Sequence, residues 1–169
     1  MYFNTRDGYE ESGRSPFGLA PAIAGGGIVI TVGAVIEAIL FVLSAIAAAY
    51  LLIKAYEKAK SLGIGVGWAG ELLVNAMRKV VEAARRVVRE LGRLIEQAGR
   101  QRLPPNCEPL LALLRERLAR IEDVLRRYFA EPRSTIPRTP IELQLLRELE
   151  DSMWYIRPLM ERLRDCLRA

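Results

Sequence analysis

Few side chains in this sequence are placed to do chemistry. They are Cys107 and Cys166, the single acid Glu37 inside a long apolar run, and a row of cations between residues 78 and 102. A thiol pair can close a disulfide. A carboxylate among apolar residues normally faces other helices or water. A row of cations can hold anionic headgroups or phosphates. None of these is a catalytic constellation. The chain has no histidine, which removes the usual general base and the commonest metal ligand. Two cysteines are too few for the common structural zinc sites. No phosphate-binding loop, dinucleotide fingerprint, nucleophile elbow or zinc-protease motif occurs. The sequence therefore predicts no catalytic residue, no metal centre and no cofactor.

The elements that carry these residues follow from where the apolar residues lie. The chain has 169 residues and a net charge of +5. Residues 1–16 form a polar tail with net charge −1, residues 17–53 hold one charge, Glu37, and the chain from Lys54 onward carries 23 basic against 16 acidic residues. We read 17–60 as a membrane-spanning segment, with a helix beginning near Ile28, past Pro21 and the poor helix formers Gly25, Gly26 and Gly27. From 28 to 53 it would span roughly 39 Å, longer than the ~30 Å hydrocarbon core. Its 15 Ile, Leu, Val or Phe residues, at about −0.3 to −0.6 kcal/mol each, outweigh the roughly +2.5 to +3.5 of a central acid. A helix apolar all round also suits the core of an assembly. A cleavable signal, or a hairpin turning near residues 34–38, are further alternatives. Small residues (Gly33, Ala34, Ala38, Ala45, Ala48, Ala49) favour self-association with Glu37 inside. Lys54, Lys58 and Lys60 weakly favour a cytoplasmic C-terminal side.

A Gly-rich joint, 61–67, leads to an amphipathic helical domain, 68–169, with helices near 68–101, 107–130 and 140–168. Leu73, Met77, Val80, Ala84, Val87, Leu91, Leu94 and Ala98 step by four and three, the spacing of a helix seam. Val74, Val81, Val88 and Ile95 widen it. Pro104 and Pro105 break the chain, and Asn106 is placed to cap the next helix. Leu111, Leu114, Leu118, Ile121, Leu125 and Tyr128 give the second seam. Thr139, Pro140 and Glu142 read as a capping box opening the third helix. Its seam is Leu146, Leu149, Met153, Ile156, Met160, Leu163 and Leu167, with Pro158 expected to kink it. The fold class is therefore all-α: one long apolar helix, then three amphipathic ones, the last two an antiparallel hairpin. The amphipathic part alone could close as a three-helix bundle.

In such a hairpin Cys107 and Cys166 meet at the open end, because their midpoint falls near residue 136, inside the proline-marked loop 131–139. A disulfide there closes a ~60-residue loop, worth up to about 4 kcal/mol on the entropic account. It implies an oxidising compartment, against the weak cytoplasmic preference of the lysines. Two unpaired, half-buried thiols are the alternative.

The first amphipathic helix carries Arg78, Lys79, Arg85, Arg86, Arg89 and Arg93 just after the apolar run. This face fits lipid headgroups or nucleic acid, which is not favoured because no aromatic residues interleave with the arginines. Glu–Arg pairs such as Glu82–Arg86 and Glu96–Arg100 would make it an ordinary solvated face.

Cys107, the Arg126-Arg127-Tyr128 run and the terminal Cys166-Leu167 pair together resemble the helical, cysteine-bracketed C-terminal domains of some bacterial polymorphic toxins, over residues 107–167. Those domains usually carry a Gly-His pair that this chain lacks, and the hydrolytic role the resemblance implies lacks its residue here. The sequence as a whole predicts a non-enzymatic, single-pass membrane protein. It would self-associate through its helices as part of a virion, injection or translocation assembly, with the bilayer and further copies as partners. The alternative is a secreted or injected membrane-inserting effector with a stapled helical hairpin.

Overall fold

A computed structural model describes residues 20–130 and 136–168. The polar tail, the first residues of the apolar segment and most of the 131–139 loop, Pro132 included, lie outside them. Four α-helices and no strand occur among the described residues: α1 (Ala20–Leu62), α2 (Val66–Gly99), α3 (Glu108–Ala130) and α4 (Thr139–Arg168). The apolar helix starts earlier than glycine propensity implies, at Ala20, and runs through Gly25, Gly26 and Gly27. Pro21 falls in its first turn, where its missing N–H costs nothing.

The end of α1 is set by two glycines. Gly63 and Gly65 hold φ of 70° and 63°, a left-handed conformation that side chains with a Cβ disfavour. The Ile64 N–H donates to Ala59 O at 3.1 Å and the Gly63 N–H to Lys60 O at 3.3 Å. These are the two bonds of a Schellman stop. The Ala69 N–H then donates to Gly65 O, so α2 begins at once. The joint is thus a tight turn rather than a linker, and it folds α2 back along α1. Tyr56 lies against Gly70 near the turn, and Glu37 meets Arg86 farther away. The numbers fall in one helix as they rise in the other, so α1 and α2 run antiparallel.

This pairing changes how the core is built. The predicted α2 seam is buried in full from Leu73 to Ala98, but much of it packs on α1. The buried stripe of α1 is Ile28, Val32, Val35, Ile39, Val42, Ile46, Ala49, Ile53 and Tyr56, again spaced by three and four. The apolar helix is therefore a wall of one four-helix bundle, rather than an appendage to a three-helix one. α1 packs on α2 and α4, and α3 packs on α2 and α4.

Between α3 and α4, Cys107 meets Cys166, Arg117 lies over Tyr155 and Arg127 bonds Glu148. Residue numbers again rise on one side as they fall on the other. A single turn of 3-10 helix, Pro105–Cys107, precedes α3, so Asn106 sits inside that turn instead of capping. At the head of α4 the cap is displaced by one residue from Thr139. Arg138 O accepts from the N–H groups of Ile141 and Glu142, while the Glu142 carboxylate reaches back to the Arg138 backbone. Helix α4 continues through Pro158.

Candidate interaction surfaces

The first candidate surface is the outward side of α1. One 36-residue stretch, Gly27–Leu62, is long and apolar enough to cross a membrane. Only one side of it is covered by the bundle. Ile30, Leu40, Phe41 and Leu51 stand exposed, with the small exposed residues Gly33, Ala47 and Ala48 between them. Residues 30–51 rise about 32 Å along the axis. Glu37 is the one charge between residues 30 and 51.

Glu37 does not face into α1's packed side. Its side chain is 72% exposed, and its Oε1 accepts a hydrogen bond from Arg86 Nη2 at 3.2 Å; the Arg86 side chain is 39% exposed. One residue of the proposed basic row is thus committed to the acid of the apolar run, not to the predicted partner Glu82. The rest of the row is divided. Arg85 lies over the Phe129 ring at 4.5 Å, Arg93 pairs with Glu90 at 3.2 Å, and Arg78 bonds Asn75 at 3.0 Å. Lys79 and Arg89 are exposed. Glu96–Arg100 forms as the helix spacing implies, at 3.3 Å. Two of the six cations, Arg86 and Arg93, thus meet carboxylates, and the face keeps an excess of positive charge.

The second candidate is the thiol pair. Cys107 and Cys166 lie at disulfide distance, with Cα atoms 5.9 Å apart. Both are buried. The bridge ties the 3-10 turn before α3 to the last turn of α4.

The third is the top end of the bundle, which the sequence reading passed over. Leu62, Ile64, Trp68 and Ile136 are all exposed there. The signal that could have found them is a hairpin turn whose non-glycine residues are large and apolar where polar ones are usual. Trp154 and Tyr155 on α4 are exposed as well. Arg157 lies 5.6 Å from the Trp154 ring and Arg117 3.8 Å from the Tyr155 ring, so both are covered by guanidinium groups instead of by core.

Glu142 is the buried acid of the described residues. Burial raises its pKa, partly offset by the Arg138 charge and backbone hydrogen bond. Its Oε2 has no hydrogen-bond partner. No group of three or more potential metal ligands occurs among the described residues. Comparison with known proteins finds no similar family model, no similar curated protein and no similar solved structure.

Proposed function

We propose that this is a non-enzymatic, membrane-associated protein that self-associates along the outward side of α1. The observation that carries the reading is the exposed apolar stripe from Ile30 to Leu51. Covering an Ile, Leu or Phe contributes about 1.5–3 kcal/mol, and the small residues Gly33, Ala47 and Ala48 allow close approach of a second helix. Exposed apolar patches of this kind mark contact sites.

The packing limits how α1 meets a bilayer. Arg78, Arg85 and Arg89 stand exposed on α2 alongside the middle of α1. Placing such cations in hydrocarbon costs about 2.5–3.5 kcal/mol each. A spanning α1 therefore has to part from α2 and α4, whereas the packed bundle meets a membrane from its surface. In the packed state the α1 stripe is the surface that a second copy covers.

Membrane fractionation and light scattering of the full chain test this reading. We expect a membrane-bound protein whose released form is a stable oligomer. Phe41→Lys with Leu51→Lys should yield a folded monomer. A wild-type chain that stays a lone soluble particle without detergent overturns the proposal.

A second reading rests on the cysteine pair. A disulfide persists in an oxidising compartment, which fits a secreted or injected effector whose α1 leaves the bundle to enter a target membrane. That reading expects expression to harm cells and deletion of residues 28–53 to remove the harm.

A further inference from the structure

The α1–α2 turn gathers large apolar side chains that the bundle leaves more than half exposed. Leu62 is 59% exposed, Ile64 65% and Trp68 69%. Ile136 is exposed as well, and it shares an open cavity of about 430 Å³ with Tyr56, Val66 and Pro137, which places it at the same end. No residue from 61 to 70 is charged. Behind this cap, on the last turns of α1, Lys54, Lys58 and Lys60 stand exposed. The exposed acids Glu57 and Glu71 share this end, two against the three lysines.

Two features make the cap a presented surface. Its backbone is fixed, because the Schellman bonds and the left-handed Gly63 and Gly65 leave no slack between two long helices. Along the bundle axis Leu62 and Ile64 stand at the tip, Trp68 lies level with Lys58 and Lys60 in the register that Tyr56 and Gly70 set, and Lys54 follows about two turns back. Tryptophan prefers the membrane–water interface, and lysine stems lie along apolar surface while their ammonium groups reach the headgroups.

We propose that the α1–α2 turn is a membrane-docking wedge. Leu62, Ile64 and Trp68 enter the interfacial layer of an anionic bilayer, and Lys54, Lys58 and Lys60 meet its lipid headgroups. The proposal rests on the membrane reading above and specifies the contact; it does not depend on self-association through α1.

The test uses the full chain carrying Trp154→Phe, which leaves Trp68 as the one tryptophan. Vesicles of phosphatidylcholine, with and without phosphatidylglycerol, are the probe. Trp68 emission should shift to the blue on anionic vesicles and be quenched by lipids brominated on their chains. Ile64→Asp should reduce vesicle flotation at least about tenfold, the effect of losing one buried isoleucine. Each lysine changed to Gln should weaken binding about fivefold at low salt. Helix content should stay constant throughout, because these side chains are exposed. Full flotation of Ile64→Asp, with its helices intact, removes the wedge and leaves membrane association through α1 standing. No flotation of the wild type removes both. A Trp68 shift that grows with protein concentration and needs no vesicles overturns the wedge in favour of a second copy at the turn.

Discussion

Arg86 of α2 donates a hydrogen bond at 3.2 Å to Glu37, the one acid of the apolar run in α1. The pair joins the two features that composition singles out, the apolar segment and the basic row. It also marks their register across 49 residues of sequence. Both groups are substantially exposed, and an exposed ion pair contributes little, about 0–1 kcal/mol. Removing Glu37 should therefore leave folding almost unchanged and act on the outer face. We expect Glu37→Leu to shift the unfolding free energy by less than about 1 kcal/mol while raising the oligomer fraction in gel filtration. A large loss of stability would mean that the pair holds the helices together, contrary to its exposure.

The Cys107–Cys166 bridge lies at the far end, between α4's last turn and the 3-10 turn before α3. The closed loop contains all of α3, so reduction frees a long stretch of the unfolded chain. We expect dithiothreitol, or Cys107→Ser with Cys166→Ser, to lower stability by up to about 4 kcal/mol, read from urea unfolding. The helices should survive, since Leu111, Leu114, Leu146 and Leu149 remain buried between them. An unchanged midpoint with and without reductant would show that the thiols are not joined in the protein as prepared.

Much of this arrangement was legible in the chain. The α2 and α4 seams followed from spacings of three and four, because a helix buries one stripe whatever it packs against. The meeting of Cys107 and Cys166 followed from a midpoint lying in a proline-marked loop. The role of α1 was not legible in full. A helix apolar on all sides has no stripe to announce which side is inside, so composition cannot separate a bilayer from a protein neighbour. The α1–α2 turn was missed for a related reason: glycines at 63, 65 and 67 read equally as a loose joint or a tight stop. Only the hydrogen bonds at Gly63 and Ile64 decide between them. The partner of Arg86 was misread because local pairing along one helix ignores what an adjacent helix offers.

Glu142 gives the bundle a pH dependence. Burial holds its pKa above the ordinary carboxylate value, so the folded state binds its proton more tightly than the unfolded state does. Stability from this group is full below the unfolded pKa and is lost as pH rises through the raised, folded one. We expect Glu142→Gln to flatten that decline. At neutral pH the variant should be as stable as the parent or more so, because the amide oxygen can still accept from the Arg138 backbone. Thermal unfolding across the acid-to-neutral range checks this, and a variant that keeps the parent's slope would assign the dependence to another group.

Gly70 is where three elements converge. A Cβ built there would sit 3.2 Å from Tyr56 Cε1 on α1 and 3.4 Å from Pro137 Cδ on the approach to α4. The first distance is too tight for ordinary contact, so Gly70→Ala sets two effects against each other. Replacing a helical glycine by alanine is worth up to about 1 kcal/mol in helix propensity. Displacing a buried aromatic ring by a few tenths of an ångström works the other way, and overpacking of a formed core costs about 1–3 kcal/mol. Tyr56 is 4% exposed and borders the open cavity it shares with Val66 and Ile136, so its ring can give part of the distance and a modest net clash should remain. We expect Gly70→Ala to destabilise modestly and Gly70→Leu severely. Tyr56→Phe, which keeps the ring, should not rescue either, whereas Tyr56→Ala should relieve Gly70→Leu in a double-mutant cycle. Additive losses in that cycle would show that residues 56 and 70 do not compete for the same space.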